Sequence, residues 1–174
     1  MLKWRSGSTV AEIGAGNGQL TVLAAERVGS NGKVYSTELD PKKLARLSEL
    51  AAKQPNIIVV KASVSDTNLP RHCCDSIFMR LVYHHLTEPK AIDASLFRSL
   101  KAGGRLAVID ENPRKGTSIP PGVPKNRIGH GVPQLILIRE MTASGLRVER
   151  VDNNWPARDA YHDIYCVVFR KAAR

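Results

Sequence analysis

Residues 10–18 read Val-Ala-Glu-Ile-Gly-Ala-Gly-Asn-Gly, a short apolar run that passes directly into G-x-G-x-G. Few sequence features restrict a fold so tightly. A buried strand has to end where Gly14 begins, and a helix has to start by Gly18. Glycine accepts positive φ and has no Cβ, so such a loop turns sharply and lets a ligand come close to the backbone. The helix N-terminus behind it offers unpaired N–H groups and the positive end of a dipole. A nucleotide-like cofactor suits this arrangement.

Downstream, short apolar runs alternate with amphipathic stretches, the pattern of βα units around a parallel sheet. Strands are expected at residues 9–13, 33–37, 57–61, 76–80 and 105–110, with two closing strands at 146–152 and 162–170. Helices are expected at 18–28, from Asp40-Pro41 onward, at 89–100 and at 134–144. Their inward faces would carry Leu20, Leu23, Ala24 and Val28, then Leu44, Leu47 and Ala51, then Ile92, Leu96 and Leu100. Asp40 is the expected N-cap of the second helix, with Pro41 in its first turn. The β-branched run 57–61 reads as a buried strand. Gly103-Gly104 should stop the third helix, and residues 112–131, rich in Pro, Gly and basic residues, read as irregular. No repeat and no second unit is evident, so residues 1–174 are expected to form one domain.

With 26 Lys and Arg against 16 Asp and Glu, the formal net charge is +10. That balance raises nucleic acid as a partner. The bases are scattered, however: Lys42, Lys43, Arg46, Arg98, Lys101, Arg147, Arg150 and Arg170 form no tract, and few aromatics accompany them. A generic basic surface is the expectation. No apolar run approaches the roughly 18–20 residues of a membrane span, and Lys3-Trp4-Arg5 does not open a signal peptide. Cys73, Cys74 and Cys166 form no CxxC and read as reduced thiols, so a cytoplasmic location is expected.

Two details favour S-adenosylmethionine over a dinucleotide as the loop's ligand. The spacing is G-x-G-x-G, not G-x-G-x-x-G. Glu12 stands two residues before the first glycine, where an acid suits a cationic sulfonium better than a pyrophosphate. Glu38, about twenty residues past Gly18, can accept both ribose hydroxyls, which fits either cofactor.

On these residues the chain resembles the class I S-adenosylmethionine-dependent methyltransferases. The resemblance runs through residues 9–18, Gly32-Lys33-Val34-Tyr35-Ser36-Thr37-Glu38-Leu39-Asp40, Leu81-Val82-Tyr83-His84-His85-Leu86 and Leu100-Lys101-Ala102-Gly103-Gly104-Arg105-Leu106. It is similar to the small-molecule branch that includes the ubiquinone and menaquinone C-methyltransferases. The resemblance implies an α/β, Rossmann-like, doubly wound sheet of seven strands, order 3-2-1-4-5-7-6, with strand 7 antiparallel. It also implies that Glu12, Gly14, Ala15, Gly16, Asn17 and Gly18 line the methionine part of the cofactor. Glu38 would bind the ribose, and Leu39 would pack on the adenine. Ala62, Ser63 and Val64 stand where the family usually has Gly-Asp-Ala, so Ser63 would offer the adenine amino group one hydrogen bond and no charge. Arg80 and Leu81, at the end of strand four, would meet the cofactor with their backbone.

Methyl transfer from a sulfonium is an in-line displacement, so alignment, exclusion of water and removal of a proton are the main demands. His84 and His85 are the expected general-base candidates, with Tyr83 a third, because they follow strand four at the carboxyl edge where ligands bind open α/β sheets. Asp110, Glu111 and Asn112 end strand five on that edge. Metal-dependent O-methyltransferases use acids and an amide there, but no matching acid follows strand four, so no metal is expected. In segment 112–131, Arg114, Lys115, Lys125, Arg127 and His130 would attract a carboxylate or phosphate of the acceptor. Only eight residues precede the first strand, whereas the family usually has helices there. A partner subunit or a second copy of the chain would then cover the cofactor, or the site would be open.

The leading expectation is a cytoplasmic methyltransferase with a small-molecule acceptor, S-adenosylmethionine as cofactor and S-adenosylhomocysteine as product. An RNA or protein methyltransferase, and a cofactor-binding module without catalysis, are the alternatives.

Overall fold

The computed structural model describes residues 1–156 and 163–173. Seven strands run β1 (Thr9–Ile13), β2 (Lys33–Glu38), β3 (Ile57–Lys61), β4 (Cys74–Arg80), β5 (Leu100–Glu111), β6 (Arg147–Asp152) and β7 (Ile164–Arg170). Four helices connect them: α1 (Gln19–Val28), α2 (Pro41–Lys53), α3 (Pro89–Ser99) and α4 (Gln134–Ala143). The strands form one sheet in the order β3-β2-β1-β4-β5-β7-β6. The first five pair in parallel, and β7 runs antiparallel to both β5 and β6. Both the order and the lone reversal match the expectation.

Strand side chains alternate between faces, and each face has its own core. Ala11, Ile13, Ile77, Met79, Leu106, Val108, Val167 and Phe169 meet Ile92 and Leu96 of α3 and Leu137 and Met141 of α4. Val10, Val34, Phe78, Ala107 and Val168 on the other face meet Ala24, Ala25 and Val28 of α1. Asp40 caps α2 as expected, its Oδ1 accepting from the Lys42 and Lys43 amides at 2.8 and 3.0 Å. Among the described residues, no helix is long and apolar enough to cross a membrane.

Several local expectations give way. Leu23 is 59% exposed. With Trp4, Leu20, Phe78 and Ile109 it borders an apolar cleft of about 510 Å³. Thr21 takes the buried place on α1 instead. Only Leu47 of the expected α2 face is fully buried. The run 57–61 buries only Ile57, because β3 is an edge strand. Leu100–Gly104 does not form a loop. α3 passes straight into β5, whose start pairs Leu100 with Cys74 before a register shift. The second closing strand begins at Ile164; its expected start at His162 lies outside the described residues.

Candidate functional site

The carboxyl ends of β1, β2, β4 and β5 converge on the glycine loop. Gly14, Gly16 and Gly18 all have positive φ, at 66°, 56° and 79°. Two of them need glycine for different reasons. A Cβ on Gly14 would lie 2.7 Å from Val82 Cγ2 in the turn after β4, so the two segments can pack only because that atom is absent. A Cβ on Gly16 would meet nothing within 4 Å, so there the requirement is the left-handed backbone and the open space beside it.

β2 holds the loop in place. The Ala15 amide donates to Thr37 O at 2.9 Å. Glu38 Oε2 accepts from the Gly16 amide at 2.9 Å, and its Oε1 accepts from the Leu39 and Asp40 amides at 2.7 and 3.2 Å. Glu38 is therefore a clamp between loop and strand end as well as the expected ribose ligand. Glu12 lies buried on β1 below the loop. It accepts a hydrogen bond from Thr21 Oγ1, which also lies 2.8 Å from Ser36 Oγ. Burial pushes its carboxyl up to about 7, the Thr21 bond opposes that rise, and the negative charge of Glu38 adds to it.

Leu39 and Val64 remain 48% and 56% exposed past the ends of β2 and β3. An adenine ring would find apolar surface there. Ala62 is tied to β2 through its amide and Glu38 O, at 3.0 Å. Ser63 departs from its expected role. Its hydroxyl accepts from the Asp66 and Ser65 amides at 2.9 and 3.3 Å and faces Asp66 O at 3.3 Å. In this structure the hydroxyl is engaged within its own turn. Arg80 ends β4, half-buried. Leu81 adopts φ 55° and donates its amide to Ile109 O at 2.8 Å. That is a left-handed conformation unusual for leucine, placed where the chain turns over the loop.

The three catalytic candidates share a 3₁₀ turn, Tyr83–His85, but not an environment. Tyr83 is fully buried, and its hydroxyl lies 2.9 Å from Asp93 Oδ2 and 2.8 Å from Glu140 Oε2. Burial, then the two carboxylates, raise its phenol far above the ordinary range. Tyr83 is thereby corrected to an internal anchor, with no open surface to serve as a base. His84 is 2% exposed, with Nδ1 2.5 Å from Asp110 Oδ1. His85 is exposed at its side, and burial of part of the ring, then His84 and His130, lower its pKa.

Segment 112–131 folds back so that its ends meet. Val132 N donates to Glu111 O at 2.9 Å, and Arg114 N donates to His130 O at 3.1 Å. Lys115 and Lys125 are exposed. Arg127 is not available to an acceptor: it is fully buried and makes a two-point contact with Glu140, at 3.0 and 2.9 Å. Arg114 lies 3.1 Å from Glu111 Oε1. His130 is brought beside His84 and His85, with ring centroids 4.7 and 5.2 Å away. That convergence had no counterpart in the sequence reading, which treated the turn and the segment separately and expected no metal.

The comparisons with known proteins agree with this fold. A curated relative, the ubiquinone/menaquinone biosynthesis C-methyltransferase UbiE of a Marinomonas species, is 31% identical over 109 residues, which is 61% of this chain and 43% of that protein. The chain thus spans less than half the length of the curated relatives it matches. Among solved structures, a SAM-dependent methyltransferase from Aquifex aeolicus superposes with a TM-score of 0.75 at 25% identity, covering 97% of this chain and 85% of that one. An S-adenosylmethionine-dependent methyltransferase from Mesorhizobium loti shares the fold, with a TM-score of 0.76 at 18% identity, covering 95% and 92%. The methyltransferase domain family model matches residues 11–108, more than half of the chain. The chain belongs to the methyltransferase domain family.

Proposed function

We propose that the chain is a single S-adenosylmethionine-dependent methyltransferase domain that methylates a small-molecule acceptor. The clamp of Glu38 on the Gly16 amide carries this reading. It holds a buried carboxylate, the glycine loop and the exposed Leu39 together at one strand edge. Glu12 would face the sulfonium, Glu38 the ribose and Leu39 with Val64 the adenine. The likeness to UbiE supports a small acceptor. The Tyr83–His85 turn and segment 112–131 border the space an acceptor would enter. Alignment of acceptor and methyl group supplies most of the rate, since the leaving group is already a sulfonium. The product is S-adenosylhomocysteine.

The test is isothermal titration of the purified chain with S-adenosylmethionine and S-adenosylhomocysteine, with a Glu38→Ala variant alongside. We expect micromolar or tighter binding by the unaltered chain and a loss of about 30-fold or more in the variant, which corresponds to about 2 kcal/mol. Absence of binding by the unaltered chain would leave a methyltransferase fold without methyl transfer, since fold alone does not fix function.

A further inference from the structure

We propose that His84, His85 and His130 form a binding site for one divalent transition-metal ion of the zinc type. His84 carries the first observation. Its Nε2 is buried and has no hydrogen-bond partner. Its Nδ1 lies 2.5 Å from Asp110 Oδ1, and Asp110 also accepts from the His84 and Glu111 amides at 3.2 and 2.8 Å. A carboxylate accepting from three N–H groups places the ring proton on Nδ1 and the lone pair on Nε2. A buried nitrogen of this kind costs about 1–3 kcal/mol if nothing meets it.

The second observation is what surrounds that nitrogen. One ligating atom from each of His84, His85 and His130 lies within 4.8 Å of the others. The His84 and His85 ring centroids are 4.0 Å apart. His130 also has a carboxylate beside one ring nitrogen, its Nδ1 standing 3.2 Å from Glu111 Oε1. Metal-ligating histidines commonly donate their second N–H to a carboxylate in this way. Here the two carboxylates are neighbours at the end of β5, both buried, and together they offset the charge of a divalent ion held by three neutral rings. The Arg114 guanidinium shares Glu111 and lies 3.3 Å from His130 Nδ1, so an ion at His130 Nε2 requires the Nδ1 proton to point to Glu111 and the Arg114 contact to give way.

Tetrahedral zinc with Zn–N near 2.0–2.1 Å needs ligand nitrogens about 3.3 Å apart. The rings must therefore close by roughly an ångström. Asp110 holds His84, so the movement falls on exposed His85 and on His130 in its irregular segment. Three imidazoles and an open fourth position make a catalytic type of site, not a closed structural one. The ligand set also selects against magnesium and calcium, which prefer oxygen. On the methyltransferase reading, the turn that carries His84 and His85 abuts the glycine loop through Val82 and Gly14, and an open position on a Lewis-acidic ion suits an acceptor that binds through an anionic oxygen or sulfur.

The full chain, stripped with chelator and dialysed, should be titrated with Zn²⁺ by competition calorimetry and with Co²⁺ by visible absorption. We expect one ion per chain, submicromolar Zn²⁺ affinity and the strong absorption of four-coordinate cobalt. His85→Ala and His130→Ala should each weaken Zn²⁺ by about 100-fold, and Asp110→Asn by about 10–100-fold. S-adenosylhomocysteine titrations and thermal melts of the two histidine variants should match the unaltered chain, which separates loss of a ligand from loss of fold. No Zn²⁺ binding, or weak binding unchanged in both histidine variants, would overturn the metal site. Stoichiometric Zn²⁺ binding without S-adenosylhomocysteine binding would uphold the metal site and overturn the methyltransferase reading.

Discussion

Glu12 is 4% exposed, and burial is the main reason its carboxyl is pushed up to about 7. Near neutral pH it therefore divides between protonated and ionised forms. S-adenosylmethionine carries a permanent positive charge on sulfur, whereas S-adenosylhomocysteine carries none. A cation seated over Glu12 favours the ionised form, so its binding should release a proton below about pH 7. The sign follows from linkage: affinity for S-adenosylmethionine should rise from pH 6 to pH 8, by at most about tenfold per pH unit, and affinity for S-adenosylhomocysteine should change less. Calorimetry in buffers of unequal ionisation heat counts the protons directly, and Glu12→Gln should abolish the difference between the two ligands. Equal proton counts for both ligands would remove Glu12 from the sulfonium's surroundings. Glu12 and Glu38 were legible as acids because their spacing from the glycines is local. The clamp of Glu38 and the engaged hydroxyl of Ser63 were not. They depend on which amides come within 3 Å after folding, and sequence spacing does not report that.

The 3₁₀ turn, α3 and α4 are joined by one buried polar network. Tyr83 has a single hydroxyl proton but faces both Asp93 and Glu140. Arg127 neutralises Glu140 through two hydrogen bonds and lies 5.5 Å from the Tyr83 ring centroid. Asp93 has no such two-point contact, and burial raises it to about 7, against the opposing pull of the Tyr83 hydrogen bond and the Arg127 charge. Its folded pKa is thus above its unfolded value. The folded state then binds more protons than the unfolded state between about pH 4 and 7. Stability should fall as pH rises through that window, by at most about 4 kcal/mol from this group. Asp93→Asn mimics the protonated acid and should flatten much of that fall. Urea titrations at pH 5 and pH 8 give the comparison, and an unchanged slope in the variant would assign the pH dependence elsewhere. Element by element, periodicity located every strand core and helix. It failed where a tertiary neighbour decided the outcome. Leu23 matches the inward pattern of α1, yet the cleft beside Trp4 leaves it open. Gly103-Gly104 reads as a stop, yet Gly104 sits against Lys101 O and Asp75 O inside the sheet.

Across the whole molecule, the charge is arranged against its own average. The net charge is +10. Yet Glu12, Glu38, Asp93, Asp110 and Glu111 are all buried, at or near the carboxyl edge of the sheet. A basic protein thereby keeps an acidic interior at the place where a cationic cofactor would bind. The gathering of His84, His85 and His130 belongs to this scale too. Segment 112–131 must first turn back on itself, with Val132 pinned to Glu111, before His130 can reach the turn after β4. The forty-four residues between that turn and His130 carry no periodic signal of that contact. The same arrangement bears on the acceptor class. Several surface bases are already paired: Arg98 with Asp66, Lys101 with Asp75, Arg105 with Glu149 and Arg150 with Asp152. Pairing of this kind lowers the positive charge that these four residues can offer a phosphate backbone. Each phosphate neutralised on a single strand contributes about −0.7 to the slope of log K against log salt. Fluorescence anisotropy with a single-stranded RNA should give a slope no steeper than about −1.5, which is roughly two contacts. S-adenosylhomocysteine, a zwitterion with no net charge, should bind nearly equally well across the same salt range. A slope steeper than about −4 would mean six or more phosphates engaged, and the acceptor would then be RNA.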